Sequence, residues 1–283
     1  MRQIRLIIAA LLLSAALISV SATAFAGRIF VTGHDPIWHS NFGSNAAGAT
    51  NLAQAGIDFA VGSSALPFLY VESITAAIPS GNARTEPFLQ SALGYAAADY
   101  QVIDGAGLSA VLDMAAFLTG FSAIVVASDH GGMLTAAELS VLNANSATIL
   151  DFLNAGGGLY AEAESNAKGL IGAETRFGFL PFLVSSADFQ AAETGNTVTA
   201  FGASQFGLVN SDVNGNFSHN YFSSTGGMDV VDLFNNDPTR PLTLAFDGRI
   251  GDTGVITVPE PGTLALLGIG LTGMGLARRR KKA

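Results

Sequence analysis

The sequence predicts an α/β protein: a doubly wound, mostly parallel sheet with helices on both faces, flanked by an N-terminal signal helix and a C-terminal apolar helix. Three observations carry that reading. Between residues 27 and 257, short apolar runs alternate with helical stretches, the rhythm of a parallel sheet covered on both sides. Arg2 and Arg5 precede an apolar run over residues 6–20. Fifteen uncharged residues, 263–277, precede a terminal basic cluster.

Residues 1–26 have the anatomy of a secretory signal peptide: a basic start, an apolar middle and the small-residue exit Ala24-Phe25-Ala26 before Gly27. Retention as a membrane anchor is the alternative. The exit motif favours cleavage after Ala26 by a signal peptidase. The chain has no cysteine, which fits passage across a membrane without need of disulfides.

The first strand is expected at residues 28–32 (RIFVT), ending at Gly33, and a small-residue helix at about 45–61. Residues 68–72 (FLYVE) form the second strand, and a helix over about 84–97 tolerates Pro87 only in its first turn. The third strand falls at 101–104. Leu108, Val111, Leu112, Ala115 and Leu118 then share one helical face, stopped by Gly120. Residues 123–127 (AIVVA) are the strongest strand signal. Thr135 and Glu138 make a capping box for the helix after it, which Leu139, Leu142, Ile149, Leu150 and Leu153 bury and three glycines at 156–158 end. The fifth strand is 159–162. Beyond residue 165 the pattern weakens to strands at 197–201, 206–209 and 242–246 between Asn/Gly/Ser-rich loops, which complete the same domain. The organisation is therefore 1–26 signal, 27–257 α/β domain and 258–283 second signal.

That second signal opens with Pro259-Glu260-Pro261 and closes with Arg278, Arg279, Arg280 and two lysines. Its fifteen uncharged residues span roughly 22 Å as a helix, short of the roughly 30 Å hydrocarbon core. The basic cluster stays cytoplasmic by the positive-inside rule. An ordinary tail anchor is the plain alternative, but the three features in this order closely resemble the PEP-CTERM sorting signal. The resemblance implies a transient inner-membrane stage through the C-terminal helix. It also implies cutting by an exosortase-type protease and release to the periplasm, cell surface or exopolysaccharide (biofilm) matrix of a Gram-negative bacterium. The GxGxxG at residues 268–273 lies inside this segment with no βαβ unit after it, so it is not a dinucleotide site.

At 283 residues the chain suits one large or two small domains. Apolar residues make up 49% and charged ones 12%, which excludes a disordered acidic chain and, with 33 glycines, a collagen. Mean hydropathy is +0.42, and much of the excess lies in the two terminal segments. Without those segments six basic and 21 acidic residues remain, a net charge near −15. Such a surface repels nucleic acid and anionic lipid, and favours cations or neutral sugars.

The run from Phe121 to Asp129, the capped helix, and Gly156 through Ser165 resemble the class I glutamine amidotransferase-like superfamily, of flavodoxin-like architecture. The resemblance implies the fold more than the activity. Its enzymes carry a cysteine nucleophile just after the last of these strands, where Ala163 and Glu164 stand here, so glutaminase chemistry is excluded.

Nearly every polar group with chemical potential follows a strand, at the edge where open α/β sheets bind ligands. His34, Asp35, Trp38 and His39 follow the first strand, Glu72 the second, Asp129 and His130 the fourth, and Glu162, Glu164 and Ser165 the fifth. These ten are the ligand-binding candidates. The competing reading is that polar residues simply gather where the chain leaves the sheet. His34, His130, Glu164 and His219 are the catalytic candidates, and His34, Asp35 and His39 are candidate ligands for a divalent metal, without a tight motif. Asp212, Asn214 and Asn216 resemble the start of a calcium loop but lack its Gly and closing Glu, and read as an Asn-rich turn. Two functions follow: a non-enzymatic binding module for surface glycans or exopolysaccharide, or a hydrolase of carbohydrate or amide bonds using the strand-end cluster.

Overall fold

In the computed structural model, which describes residues 27–74, 81–162, 165–180, 184–250 and 256–257, the first strand is the seam between two kinds of sheet. Gly27–Thr32 (β1) runs parallel to Gly158–Ala161 (β5) on one side and antiparallel to Pro241–Ile250 (β10) on the other. Phe68–Val71 (β2), Tyr100–Ile103 (β3) and Ala123–Val126 (β4) complete the parallel half. Thr197–Val198 (β7) and Asp229–Leu233 (β9) extend the antiparallel half, giving the order β3-β2-β4-β5-β1-β10-β9-β7. All five predicted parallel strands form, within two residues of their expected ends. The order differs from the 2-1-3-4-5 order of flavodoxin-type sheets, in which the first strand is interior to the parallel set.

Helices cover both faces. Ala46–Val61 (the second helix, α2, after Pro36–His39, α1) packs on β1, β5 and β4. There Gly56 lies against the rings of Phe30 and Tyr160, themselves stacked at 5.8 Å. On the opposite face Leu153 lies against Gly27. Every residue of β2, β4 and β5 is consequently buried, which is why these strands read as continuous apolar runs rather than alternating ones.

Several helices depart from expectation, and the reason is local capping. The stretch predicted as one helix over residues 108–118 is two: Gly105–Ser109 (α4) and Met114–Leu118 (α5), after Glu86–Ser91 (α3). The carboxylates of Asp104 and Asp113 accept N–H bonds from Gly107 and Ala116, so each Asp starts its own helix. The helix expected over 84–97 is confined to α3. The capped helix breaks at Asn145 into Ala136–Ala144 (α6) and Ser146–Asn154 (α7).

The C-terminal third holds the larger corrections. Of the strand expected at 197–201, only residues 197–198 pair as a strand. Thr199 caps Ala200–Phe206 (α8) through a bond from the Gly202 N–H, and Gly207 ends it at φ +67°, so no strand forms at 206–209. Ser185–Ala192 (β6) and Phe217–Ser224 (β8) form a separate antiparallel pair that the sequence did not announce. Among the described residues no helix is long and apolar enough to cross a membrane. The N-terminal signal helix and the C-terminal apolar helix lie outside the described residues.

Candidate functional site

The site grows from the point where β1 leaves the sheet. The Gly33 carbonyl accepts the His219 N–H at 2.7 Å, which docks β8 on the end of β1. A Cβ on Gly33 would stand 1.9 Å from the Asn220 carbonyl oxygen, so only glycine allows this approach. Pro36 then opens α1 at a position where its missing N–H is harmless. Asp35 precedes that helix, but its carboxylate makes no capping bond. It serves instead as a shared acceptor: His39 Nε2 lies 2.8 Å and His219 Nε2 3.1 Å from Asp35 Oδ1.

The loop after β4 delivers a third imidazole. Ser128 Oγ accepts the N–H groups of Gly131 and Gly132, and the Asn82 amide donates to the carbonyls of Asp129 and Gly132, both at 2.7 Å. This turn lays His130 on His219 with ring centroids 3.7 Å apart and planes 22° from parallel. The Gln190 amide N–H donates to His130 Nε2 at 3.0 Å. Gly131 closes the arrangement, since a Cβ there would meet Asp35 Oδ2 at 2.3 Å and the Trp38 indole at 2.5 Å.

These groups line a cavity of about 580 Å³. Asp35, His39, His130 and His219 supply its polar side, Trp38 and Phe42 an aromatic wall, and Lys168 and Gln190 its rim. Trp38 stands edge-on to His39 at 4.9 Å, and its indole N–H is buried with no hydrogen-bond partner among the described residues. Asp35 Oδ2 and His219 Nδ1 are likewise buried and unpartnered among the described residues.

Burial works to raise the Asp35 carboxyl, but the imidazoles of His219 and His39 outweigh it and hold it below the usual carboxylate range. Burial opposes the charged form of His39, yet Asp35 raises it. Both ring nitrogens of His39 face acceptors, Asp35 Oδ1 and the Phe42 carbonyl, so the ring carries both protons. His130 moves the other way: burial, aided by the neighbouring His219, pushes it down to about 4. The cavity therefore pairs an imidazolium–carboxylate contact with a neutral imidazole.

The remaining candidates stand elsewhere. His34 does not line the cavity. Its Nδ1 lies 2.8 Å from Glu193 and its Nε2 2.9 Å from Asp232, and those two carboxylates overcome the effect of burial to hold it well above the ordinary imidazole range. Glu162 accepts from the Ile37 N–H at 3.1 Å and from the Tyr160 hydroxyl, which anchors α1; burial pushes its carboxyl well up. Glu72 accepts from the Thr85 N–H and hydroxyl and the Glu86 N–H, and burial raises it to about 7 despite those donors and Arg84. Asp129 is fully buried beside His130, with neither carboxylate oxygen hydrogen-bonded among the described residues. Burial raises it to about 8; Arg176 opposes the shift, while Asp188 and Asp35 add to it. Ser165 is buried, and Glu164 lies outside the described residues. Asp212, Asn214 and Asn216 spend their side chains on Asn51, Val209, Asn196, Asn210 and Asn45, as an Asn-rich turn requires.

Sequence reasoning missed Glu193, Asp232 and Gln190. Asp232 carried a faint signal, an acidic residue among the apolar positions of Asp229–Leu233; Gln190 sits on β6, which had none.

Residues 257–281 match the PEP-CTERM protein-sorting motif. The chain shows no match among curated proteins. The motif identifies an exported, cell-surface-directed protein processed by exosortase-type sorting machinery.

Proposed function

We propose that the protein, freed of residues 1–26 and of its C-terminal signal, is a binding module of the cell surface or exopolysaccharide matrix that takes a neutral sugar into the cavity beside Asp35. One observation carries this reading. Asp35, His39, His130 and His219 converge on a space of about 580 Å³ faced by Trp38 and Phe42. That volume lies within the roughly 300–1,000 Å³ of small-molecule sites. Aromatic rings beside a few convergent hydrogen-bonding groups suit a sugar, which offers both an apolar face and hydroxyls. The acidic surface disfavours polyanions.

The scaffold reading is an amidotransferase-like one, supported by the strand, capped helix, glycine turn and strand over residues 121–162. With no cysteine among the described residues or in the sequence, it carries no glutaminase chemistry.

A second reading, hydrolysis of a carbohydrate or amide bond, is favoured by the Asp35–His219 contact. A carboxylate on Nε2 orients that imidazole and leaves its unpartnered Nδ1 to exchange a proton. Calorimetry of the full chain with a panel of soluble oligosaccharides, run beside a fluorogenic glycoside and amide panel, separates the two. Binding without turnover, lost in His130→Ala, supports the module. Turnover abolished in both His130→Ala and His219→Gln supports the hydrolase. Neither binding nor turnover overturns both.

A further inference from the structure

We propose that Asp35, His130 and His219 form a site for one divalent first-row transition-metal ion, zinc being the best match to two imidazoles and a carboxylate. The inference rests on the cavity reading above and deepens it, because the ion would lie at the base of the same cavity and offer an incoming hydroxyl a free coordination position.

Geometry is the first support. One donor atom from each of the three residues lies within 4.8 Å of the other two. Donors at about 2.0–2.2 Å from a tetrahedral zinc stand roughly 3.3–3.6 Å from one another. His219 Nε2 lies 3.1 Å from Asp35 Oδ1, a hydrogen bond that an ion held by His219 Nε2 and the neighbouring Oδ2 would replace.

The second support is independent of distance. Asp35 is only 1% exposed, yet its Oδ2 has no hydrogen-bond partner among the described residues. Buried polar atoms are nearly always paired, and an unmet carboxylate oxygen among imidazoles points to a missing cation. The third donor, His130, is half-buried, and its Nε2 contact is with the exposed side chain of Gln190; to direct a nitrogen at the ion its ring would turn out of the 3.7 Å stack on His219.

The surroundings fit the same role. His39 Nε2 holds Asp35 Oδ1 at 2.8 Å, the outer hydrogen bond that orients a ligating carboxylate. Gly131 leaves Asp35 Oδ2 accessible where any side chain would cover it. Imidazole donors select zinc and its neighbours over calcium or magnesium, which prefer oxygen. His34 and its two carboxylates cannot compete for the ion, because both ring nitrogens are already engaged. The three donors come from the β1 loop, the β4 loop and β8, so no short motif announces them.

The test uses the full chain stripped with chelator and titrated with Zn²⁺ alone against a chelating dye, then with Co²⁺ for its visible bands. One equivalent of Zn²⁺ should bind, and His130→Ala and His219→Gln should each weaken it at least about tenfold. His130→Ala is the decisive variant, since a half-buried side chain can be removed with little change in melting temperature. Absence of stoichiometric binding, or equal affinity in His130→Ala, overturns the site. Intense Co²⁺ bands of four- or five-coordination support it; weak octahedral bands overturn it. Repeating the oligosaccharide panel with and without chelator separates this inference from the sugar reading. Sugar bound equally by a chain with no Zn²⁺ site overturns the metal and leaves the module. Zn²⁺ bound with no sugar retained sustains the metal and sinks the module.

Discussion

His219 and Asp35 meet across 184 positions of the chain, imidazole Nε2 to carboxylate Oδ1 at 3.1 Å, with both side chains buried. The contact joins the loop after the first strand to a strand outside the main sheet. A double-mutant cycle of Asp35→Ala and His219→Ala, read by urea denaturation, should give a coupling energy above about 1 kcal/mol, as residues in one polar network do. Strict additivity of the two changes would show that the pair makes no interaction.

His34 should matter to stability and not to the cavity. His34→Ala leaves the buried carboxylates of Glu193 and Asp232 without their cation, a change expected to cost about 3–5 kcal/mol. His130→Ala, half-buried at the cavity wall, should cost under about 1 kcal/mol. The denaturation midpoints of the two variants check this; an unaltered midpoint in His34→Ala contradicts its structural role.

Glu72 makes stability pH-dependent. Its carboxyl is raised from 4.5 to about 7 in the folded protein, so the native state holds a proton that the unfolded chain releases earlier. The sign follows: this contribution is complete below about pH 4.5, declines as pH rises, and is lost above about 7. Its size is roughly 3 kcal/mol. Unfolding free energy measured from pH 5 to 8 should therefore fall less steeply in Glu72→Gln than in the wild type. Parallel slopes would remove Glu72 as the cause.

Processing gives a prediction of mass. Protein recovered from the cell surface should begin at Gly27 and lack residues 278–283, the basic end of the sorting motif at 257–281. Mass spectrometry of intact mature protein decides it, and a retained arginine cluster would contradict exosortase processing.

The parts of this protein legible in its sequence are those whose signals act over a few residues. The run at Ala123–Val126 is buried on both faces and reads as a strand by itself. Thr135 and Glu138 cap their helix through bonds confined to one turn. The Pro-Glu-Pro, apolar and arginine order of the last 25 residues is a pattern of the linear sequence. Exosortase-type sorting machinery reads it without reference to the fold.

Elsewhere a local pattern was outvoted by a neighbouring one. Leu108, Val111 and Leu118 keep helical spacing, but Asp104 and Asp113 each satisfy free N–H groups and start separate helices. Thr199 and Gly207 likewise claim for a helix a stretch whose apolar residues suggested strands.

By itself, then, the sequence determined the protein's destination and the parallel half of its sheet, because both are written in neighbouring residues. Which histidines share the cavity was decided only by tertiary structure. His34 and His39 are five positions apart and chemically identical, yet one is enclosed by Glu193 and Asp232 and the other turns to Asp35. Asp232 arrives on β9 and Glu193 just after β6, both from the far end of the chain, whereas Asp35 lies four positions before His39. An imidazole's role follows from the charges that burial places around it.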